Sequence, residues 1–561
     1  QIRDHFLFQN PITDSLIYDE WARGISKTGW LGKEIFFMNP GYPYFLALFY
    51  KIFGHKLTPV LVFQFLLGSI SCLLLYLIGN TIFNKRTGVI AGIMGCFYGI
   101  SIYYEGLLLT AALINFLNLL AIYLLIKEEE SVRFLGVFSA GLFLGISTLF
   151  RPTVLLFTLF VCAYFVIRRN LSVFTVILSA LGLVLLPVGV RNYFVGGEFV
   201  LTTSSAGMNF YIGNNPRAIG TYRALPFERS DPRFQAGDYL QEARKRTGRK
   251  LSPAEASRYW LKQSLRFVKG SPVQWLQLEF RKFILFWNSC EIGANLDYNV
   301  VKEYVLFLRF PWVGFGLVAP LGLMGLVMSL YRRRAAILIL YIFSYLMVGL
   351  MFFIISEYRY PASVLLILFA GYAIDRIIKG FKEKNYRRLS LYSIGLLPLF
   401  LFVHLRIAEP DRAGTYKNIG TLYYNQKQFK KAIEEFKKAI EEEPGFAEAH
   451  KMLGLTYGKQ GRLEKAVEEF ELALSMKPEW AEVWDHLGVA CFKMGLLDRA
   501  EAAFLKAIQF DSKFSNAFSH LGSTYGRLGR YREAADCFKR AWELGGNIED
   551  KENYYRALSQ R

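Results

Sequence analysis

Residues 57–83 read LTPVLVFQFLLGSISCLLLYLIGNTIF, a long apolar run without one charged side chain. A helix needs about 17–25 apolar residues to cross a bilayer, so this run predicts a membrane-spanning helix. Nine similar runs complete a set of ten predicted spans: 57–83, 88–104, 107–126, 134–150, 152–168, 172–190, 310–330, 335–356, 361–378 and 389–405. The chain is 53% hydrophobic, more than a typical soluble domain. The predicted fold is therefore all-α, with a polytopic transmembrane helical bundle.

The distribution of basic residues explains the net charge of +20 without nucleic-acid binding. Most basic clusters lie in alternate short loops: Lys85-Arg86, Lys127 with Arg133, Arg168-Arg169, Arg332-Arg333-Arg334, and the run from Arg376 to Arg388. The opposite short loops hold only Arg151 and Arg359. Because cytoplasmic loops are enriched in Lys and Arg, we expect the first set in the cytoplasm. Residue 1 is not Met, and we expect one further span before it.

A 34-residue repeat begins near residue 416. Four columns of residues fall in register: Gly420, Gly454, Gly488 and Gly522; Ala432, Ala466, Ala500 and Ala534; Phe436, Phe470, Phe504 and Phe538; Ala439, Ala473, Ala507 and Ala541. This period and these residue types are the tetratricopeptide signature. They predict a C-terminal α-solenoid over about 416–551, with a concave face that binds a peptide or protein partner. The alternative is that the repeats only pack on the outer loops.

The sequence therefore divides into five predicted segments. They are an outer-face loop with amphipathic juxtamembrane helices (1–56), the first part of the bundle (57–190), a large extracytoplasmic loop (191–309), the second part of the bundle (310–405) and the extracytoplasmic repeat domain (406–561). We expect a multi-pass protein of the cell (inner) membrane, with its repeats and active site on the extracytoplasmic side.

Acidic and basic residues gather at the predicted outer ends of the spans, which indicates an outward-facing active site. The chemistry that fits is sugar transfer from a polyprenyl phosphate. A carboxylate takes the proton of the acceptor hydroxyl, and an arginine fork binds the departing phosphate. We predict catalytic roles for Asp14 and Glu105, and donor-phosphate binding by Arg151, Arg359 and Arg191. Asp14 could instead cap its helix, and the arginines could reach lipid headgroups.

Five motifs carry a family resemblance. They resemble the GT-C glycosyltransferases, specifically family 39, the dolichyl-phosphate-mannose protein mannosyltransferases and their bacterial relatives. The motifs are DSLIYDEWARGI (14–25), NPGYPYFLALFYKIFG (39–54), LFRPT (149–153), RNYFVGGEFVLTTSSAGMNFYIGNNPRAIGTY (191–222) and EYRYPAS (357–363). The combination with repeats resembles transmembrane O-mannosyltransferases that carry tetratricopeptide repeats in the lumen. The resemblance implies an inverting transferase with its first-loop acid at Asp14 and a second outer-loop acid at Glu105.

The motifs also depart from the family. Ser15 follows Asp14 where the mannosyltransferases have an adjacent Asp-Glu pair, and Met38-Asn39 precede Pro40 where the aminoarabinose branch has Glu-Lys. We therefore predict no metal site; a divalent metal stays unsupported, and the sugar stays open. Candidate contacts to donor or acceptor are Asp19, Tyr18, Asn39 and Asn214.

Two other functions compete with the transferase. A non-catalytic membrane scaffold would also explain the repeats, which would recruit envelope proteins. A transporter would be expected to place polar residues at mid-membrane in broken helices, whereas these spans are nearly free of charge. The expected partners are the lipid bilayer, a polyprenyl-linked sugar and a protein or peptide bound by the repeats, with no nucleic acid.

Overall fold

The structure, a computed structural model, describes residues 6–32, 35–128, 133–229, 232–293, 296–310 and 312–560. In these ranges the secondary structure is helical, with one isolated bridge between Tyr98 and Val313 and no strand. This confirms the predicted all-α fold. The chain divides into two units, Gln1–Pro410 and Asp411–Arg561, and each is described by itself.

The first unit contains nineteen α-helices within the described residues. They are α1 (Phe6–Gln9), α2 (Asp14–Thr28), α3 (Gly41–Phe53), α4 (Leu57–Ile82), α5 (Lys85–Cys96), α6 (Gly99–Glu105), α7 (Ala111–Glu128), α8 (Phe134–Phe150), α9 (Val154–Ile167), α10 (Leu171–Gly196), α11 (Ala206–Gly213), α12 (Gln235–Thr247), α13 (Pro253–Gly270), α14 (Pro272–Trp287), α15 (Tyr298–Tyr304), α16 (Phe315–Ser329), α17 (Ala336–Met351), α18 (Ser356–Lys382) and α19 (Tyr386–Val403). Three 3-10 helices accompany them, at Pro232–Phe234, Leu306–Arg309 and Arg333–Ala335.

Six helical segments of the described chain are long and apolar enough to cross a membrane: α4, α7, α10, the segment Arg333–Met351 that includes α17, α18 and α19. Three shorter apolar helices, α8, α9 and α16, match three more of the predicted runs. The predicted span at 88–104 is wrong, because α5 ends at Cys96 and α6 begins at Gly99. There the chain pairs with a distant segment: the Val313 amide donates to the Phe97 carbonyl (2.8 Å), and the Gly99 amide to the Val313 carbonyl (3.2 Å). These bonds replace the helical bonds that a continuous span would make.

Helix α18 forms the centre of the bundle, since most of its apolar window is buried. Small residues let its neighbours come close, as is usual between membrane helices. Gly325 of α16 lies directly on the backbone of Phe369 in α18, and a side chain at Gly325 would clash there. Gly371 of α18 packs less tightly against α5, where an added Cβ would come 3.2 Å from the Thr87 carbonyl oxygen. The residues at the start of α18 are thereby fixed relative to the other helices.

The long loop after α10 has its own hydrophobic core. Trp260 of α13 is 1% exposed and donates through its indole Nε1 to the Tyr239 carbonyl of α12 (3.1 Å). Met208 and Ile212 of α11 pack in the same cluster, together with Phe353, which lies just before α18. The loop is therefore a folded part of the first unit that covers the beginning of α18.

Within the described residues the second unit consists of four helix pairs, as the 34-residue period predicts, followed by one single helix. Its helices are α20 (Arg412–Asn425), α21 (Phe429–Glu442), α22 (Ala447–Lys459), α23 (Leu463–Met476), α24 (Ala481–Lys493), α25 (Leu497–Phe510), α26 (Ser515–Arg527), α27 (Tyr531–Gly545) and α28 (Ile548–Ser559). In each pair the column glycine lies under the column phenylalanine: a Cβ at Gly488 would come 2.5 Å from Cε1 of Phe504. The absence of a side chain is what lets the two helices of a pair pack this closely.

Candidate active site

An ion pair occupies the end of the bundle where α8 ends and α18 begins. Arg151 is 5% exposed and Glu357 is 9% exposed. The guanidinium Nη2 of Arg151 pairs with the carboxylate of Glu357 and also donates to Thr110 Oγ1 at 3.2 Å. A buried charge of either sign needs such a partner, because a buried charge without one would lower the free energy of unfolding by several kcal/mol.

The same arginine satisfies a backbone carbonyl that the helix itself cannot satisfy. Nη1 of Arg151 donates to the carbonyl oxygen of Glu357 at 2.9 Å. Four residues further along α18 is Pro361, which has no N–H to offer that carbonyl. Arg151 therefore fixes the first turn of α18 through both the side chain and the backbone of Glu357.

Tyrosine rings surround this ion pair. The Arg151 guanidinium lies 4.8 Å from the ring centre of Tyr358, a cation–π distance. Tyr18 of α2 is 5% exposed and packs edge-on against Tyr42 of α3 at 5.3 Å. Burial raises the pKa of Tyr18, and the nearby negative charges of Asp14 and Glu357 raise it further. The Tyr18 hydroxyl is thus neutral and lies within the electrostatic field of both carboxylates.

Asp14 is the first residue of α2 and is partly exposed. A negative charge in the first turn interacts favourably with the positive end of the helix dipole. Besides Tyr18, its charge acts on Tyr222 of the long loop, where burial and Glu228 contribute more to a raised pKa. Its charge also acts on Tyr358 in α18, so Asp14, at the start of α2, lies close to α18 and to the long loop and is partly open to solvent.

The residue before Asp14 has an unusual backbone. Thr13 has φ 52 and ψ −127, a region that β-branched residues rarely enter. Such strain costs of order 1–3 kcal/mol and is concentrated at functional sites. It sets the direction in which α2 starts, and with it the position of the Asp14 carboxylate.

Glu105 does not join this cluster through its side chain. Its carbonyl accepts from Gln64 Nε2 at 2.8 Å, and Gln64 in turn accepts from the Tyr42 hydroxyl at 2.6 Å. The carboxyl group, however, packs directly on Gly68, nearly halfway along α4, where only a glycine leaves room for it. The side chain of this predicted catalytic residue therefore points into the bundle and away from the outer ends of the helices.

Arg359 is also directed elsewhere, although it is only two residues from Glu357. Its Nη1 donates to the carbonyls of Phe286 (3.2 Å) and Asn288 (2.5 Å), and its Nη2 to that of Cys290 (3.1 Å) and to Glu291 (2.9 Å). These bonds hold the segment that follows α14. The Arg359 guanidinium, which was predicted to bind the donor phosphate, therefore stabilises this loop in the structure.

Arg191 lies near the end of α10 and binds the loop between α2 and α3. Its Nε donates to the Leu31 carbonyl at 2.8 Å, and its guanidinium stacks 3.9 Å from the ring centre of Phe36. Asn39 lies a few residues further, just before α3, and is partly exposed. These contacts position the loop between α2 and α3 and not the Arg151–Glu357 pair.

The remaining predicted contacts have structural partners. Asp19 accepts from Tyr50 at 2.5 Å and bonds to His55 at 2.8 Å, which ties α2 to the end of α3. Asn214 donates to the Met351 carbonyl at 2.7 Å and accepts from the fully buried Lys282 at 3.2 Å. Both are buried and lie outside the Arg151–Glu357 cluster, whereas Tyr18 belongs to it.

Two members of the cluster were not predicted from the sequence, Glu357 and Tyr358. Both belong to the motif EYRYPAS, in which only Arg359 was predicted to bind the donor phosphate. A carboxylate between apolar runs was a usable signal for Glu357. Within the described residues no group of three or more His, Cys, Asp and Glu side chains could hold a metal ion.

Comparison with known families agrees with this architecture. Residues 38–190 match the family model described as dolichyl-phosphate-mannose-protein mannosyltransferase. The match lies within the first unit and covers less than half of the chain. Three tetratricopeptide repeat models match residues 423–488, 481–514 and 515–545. These matches confirm the resemblance seen in the sequence, and they support a membrane glycosyltransferase joined to tetratricopeptide repeats. No curated protein matches the chain.

Solved structures similar to this chain include repeat proteins. One is described as the crystal structure of MamA protein, at 24% identity, covering 27% of this chain and 82% of that chain, with a TM-score of 0.26. Another is the Arabidopsis OM64 TPR domain, at 26% identity, covering 20% and 96%, with a TM-score of 0.20. A third is the first TPR of Spaghetti (RPAP3) bound to an HSP90 peptide, at 22% identity, covering 20% and 90%, with a TM-score of 0.20.

Proposed function

We propose that this protein transfers a sugar, with inversion, from a polyprenyl-phosphate donor to a hydroxyl group of an extracytoplasmic acceptor. The observation that carries the proposal is that the charges of the partly exposed Asp14 and of the buried Arg151–Glu357 pair act on the same two tyrosines, Tyr18 and Tyr358. A carboxylate and a guanidinium from distant parts of the chain are the two charges that this reaction requires.

Each charge has a defined task in the proposed reaction. The Asp14 carboxylate accepts the proton of the acceptor hydroxyl while that oxygen forms a bond to the anomeric carbon. The bond from the anomeric carbon to the phosphate oxygen breaks, and the departing phosphate keeps the electron pair. Arg151 faces the developing negative charge, and its bonds to Glu357 and Thr110 hold it without further reorganisation.

We place the site and the repeats on the extracytoplasmic side. The support is the distribution of basic residues, because Arg332 to Arg334 and Arg376 to Arg388 lie at the opposite ends of the helices from Arg151. A lipid-linked donor would then keep its tail in the bilayer and its phosphate at the level of Arg151.

The acceptor we propose is a protein. The support is the repeat unit, since solenoids of this kind bind extended polypeptides along a concave face. A protein held by the repeats would be kept at high local concentration near a transferase on the same chain.

The decisive experiment replaces Asp14 with Asn, which keeps the size of the side chain and removes the base. We expect transfer to fall by roughly 10²-fold or more, because general-base catalysis contributes about 10²–10⁴-fold. The matched control is Glu20→Gln, which removes an exposed carboxylate from the same helix. The readout is the intact mass of envelope proteins and lipids from cells that carry each variant. If D14N cells glycosylate normally, the proposed mechanism is refuted, and a non-catalytic scaffold becomes the better account.

A further inference from the structure

Helix α14 exposes a stripe of large apolar side chains. Val273, Leu276, Phe280 and Phe283 are 67%, 59%, 66% and 38% exposed. Their spacing of three and four residues places them on one face of the helix. Four exposed side chains in a row form a continuous apolar surface, which needs an apolar medium or partner.

A groove of about 310 Å³ runs along the adjacent face of the same helix. Gln274, Gln277 and Arg281 line it, and each is one residue further along the chain than a member of the apolar stripe. One residue turns a helix by about 100°, so polar and apolar faces meet along one edge. On its other side the groove is closed by the segment from Asn215 to Ile219. Helix α14 is therefore amphipathic, and the groove beside its apolar stripe combines the polar side chains of Gln274, Gln277 and Arg281 with apolar lining from Phe267 and Leu278.

The position of α14 relative to the last candidate span indicates what covers the stripe. The Phe283 ring lies 6.3 Å from that of Phe402, at the end of α19. Asn288, just after α14, donates to the Leu405 carbonyl at 2.7 Å, and Arg281 reaches the Ile407 carbonyl at 3.5 Å. The stripe thus continues the surface of α19, whose apolar window is almost entirely unburied. A bilayer that surrounds α19 would therefore contact α14 at the membrane–water interface.

We propose that this groove binds the headgroup of an anionic phospholipid whose acyl chains lie along the apolar stripe. Arg281 is exposed and is held in place because its Nε donates to the Ile219 carbonyl at 2.8 Å. A guanidinium fixed in this way pairs with a phosphate diester in a forked geometry. The side-chain amides of Gln274 and Gln277 are suited to the hydroxyl groups of a glycerol headgroup. This site is separate from the proposed sugar transfer and does not depend on it.

The test uses the full-length protein in nanodiscs that contain either phosphatidylcholine alone or a mixture with phosphatidylglycerol. Native mass spectrometry counts the lipids that remain bound after release. We expect phosphatidylglycerol to be retained over phosphatidylcholine, and R281Q to reduce its apparent affinity roughly tenfold, as the loss of one charge-assisted contact does. The control is Lys262→Gln, which removes an exposed charge from α13 outside the groove. Equal retention by R281Q and the unchanged protein would overturn the proposal.

A second variant and a cross-link probe the groove and the apolar stripe separately. Q277L fills the groove without touching the bond from Arg281 to the loop, and we expect the same loss of retained phosphatidylglycerol. A photo-reactive phenylalanine in place of Leu276 should form adducts with phospholipid, because the apolar stripe faces acyl chains. Cross-links to residues 411–561 or to another protein, without lipid adducts, would show that a protein covers the apolar stripe and would refute the proposal.

Discussion

Replacing Arg151 with Met separates a structural from a chemical role for this residue. The variant leaves the Glu357 carboxylate, which is 9% exposed, without its cation. Removing one partner of a buried pair costs about 3–5 kcal/mol of stability. We therefore expect a clearly lower midpoint of thermal denaturation in detergent, and transfer reduced by about 10²–10³-fold through loss of the phosphate contact.

The double replacement R151M/E357M removes both charges at once. Exchanging a buried ion pair for apolar side chains of similar size is often neutral, so most of the lost stability should return. A residual loss of about 1–3 kcal/mol is expected, because the Glu357 carbonyl loses its donor and Pro361 cannot replace it. Transfer should stay as low as in the single variant, since no cation faces the phosphate.

The matched control is Arg388→Met, which breaks a pair with Glu383 just after α18, where the two side chains are 51% and 43% exposed. Such pairs contribute about 0–1 kcal/mol, so stability and transfer should hardly change. The reasoning fails if the double variant regains transfer along with stability. Arg151 would then serve only to fasten the first turn of α18.

Three shorter predictions concern the backbone and the repeats. Thr13→Gly should raise the denaturation midpoint, because glycine adopts a φ of 52 without the strain of about 1–3 kcal/mol; a lower midpoint would contradict this. Gly488→Val should open the repeats to added protease, since its side chain would collide with a phenylalanine ring, whereas Gly526→Ala, with open space around it, should be tolerated. The hydrogen bond to Glu469 raises the pKa of His450 above its unfolded value of about 6.5. Its protonation therefore stabilises the repeats fully below that pH, and the contribution is lost as pH rises through the raised pKa. Protease resistance should be higher at pH 6 than at pH 8.5, and H450Q should weaken this difference.

The repeats were predictable because their packing is local. Each column glycine meets the phenylalanine sixteen residues later, so a single period of sequence contains both sides of the contact. Most spans were predictable for a similar reason, since hydropathy is a property of one segment. The break between α5 and α6 was not, because it depends on hydrogen bonds with Val313, more than two hundred residues away.

The prediction that Asp14 and Arg151 serve one site rested on the expected height of each residue at the membrane. The depth of a residue in the membrane does not determine where its side chain points, however. The Glu105 side chain points to Gly68 of α4. The different surroundings of Glu357 and Arg359 could have been anticipated. Residues two apart on a helix do not face each other, so these two side chains cannot serve one site from α18.

The packing contact between a glycine and a phenylalanine, repeated in each helix pair, also has an evolutionary consequence. Each repeat joins its two helices through the same contact, so a duplicated 34-residue unit would bring its own internal packing with it. Recombination within the gene can therefore lengthen or shorten the array while leaving the membrane segment untouched. Relatives that differ in repeat number would then be expected to keep the ion pair at the start of α18 unchanged.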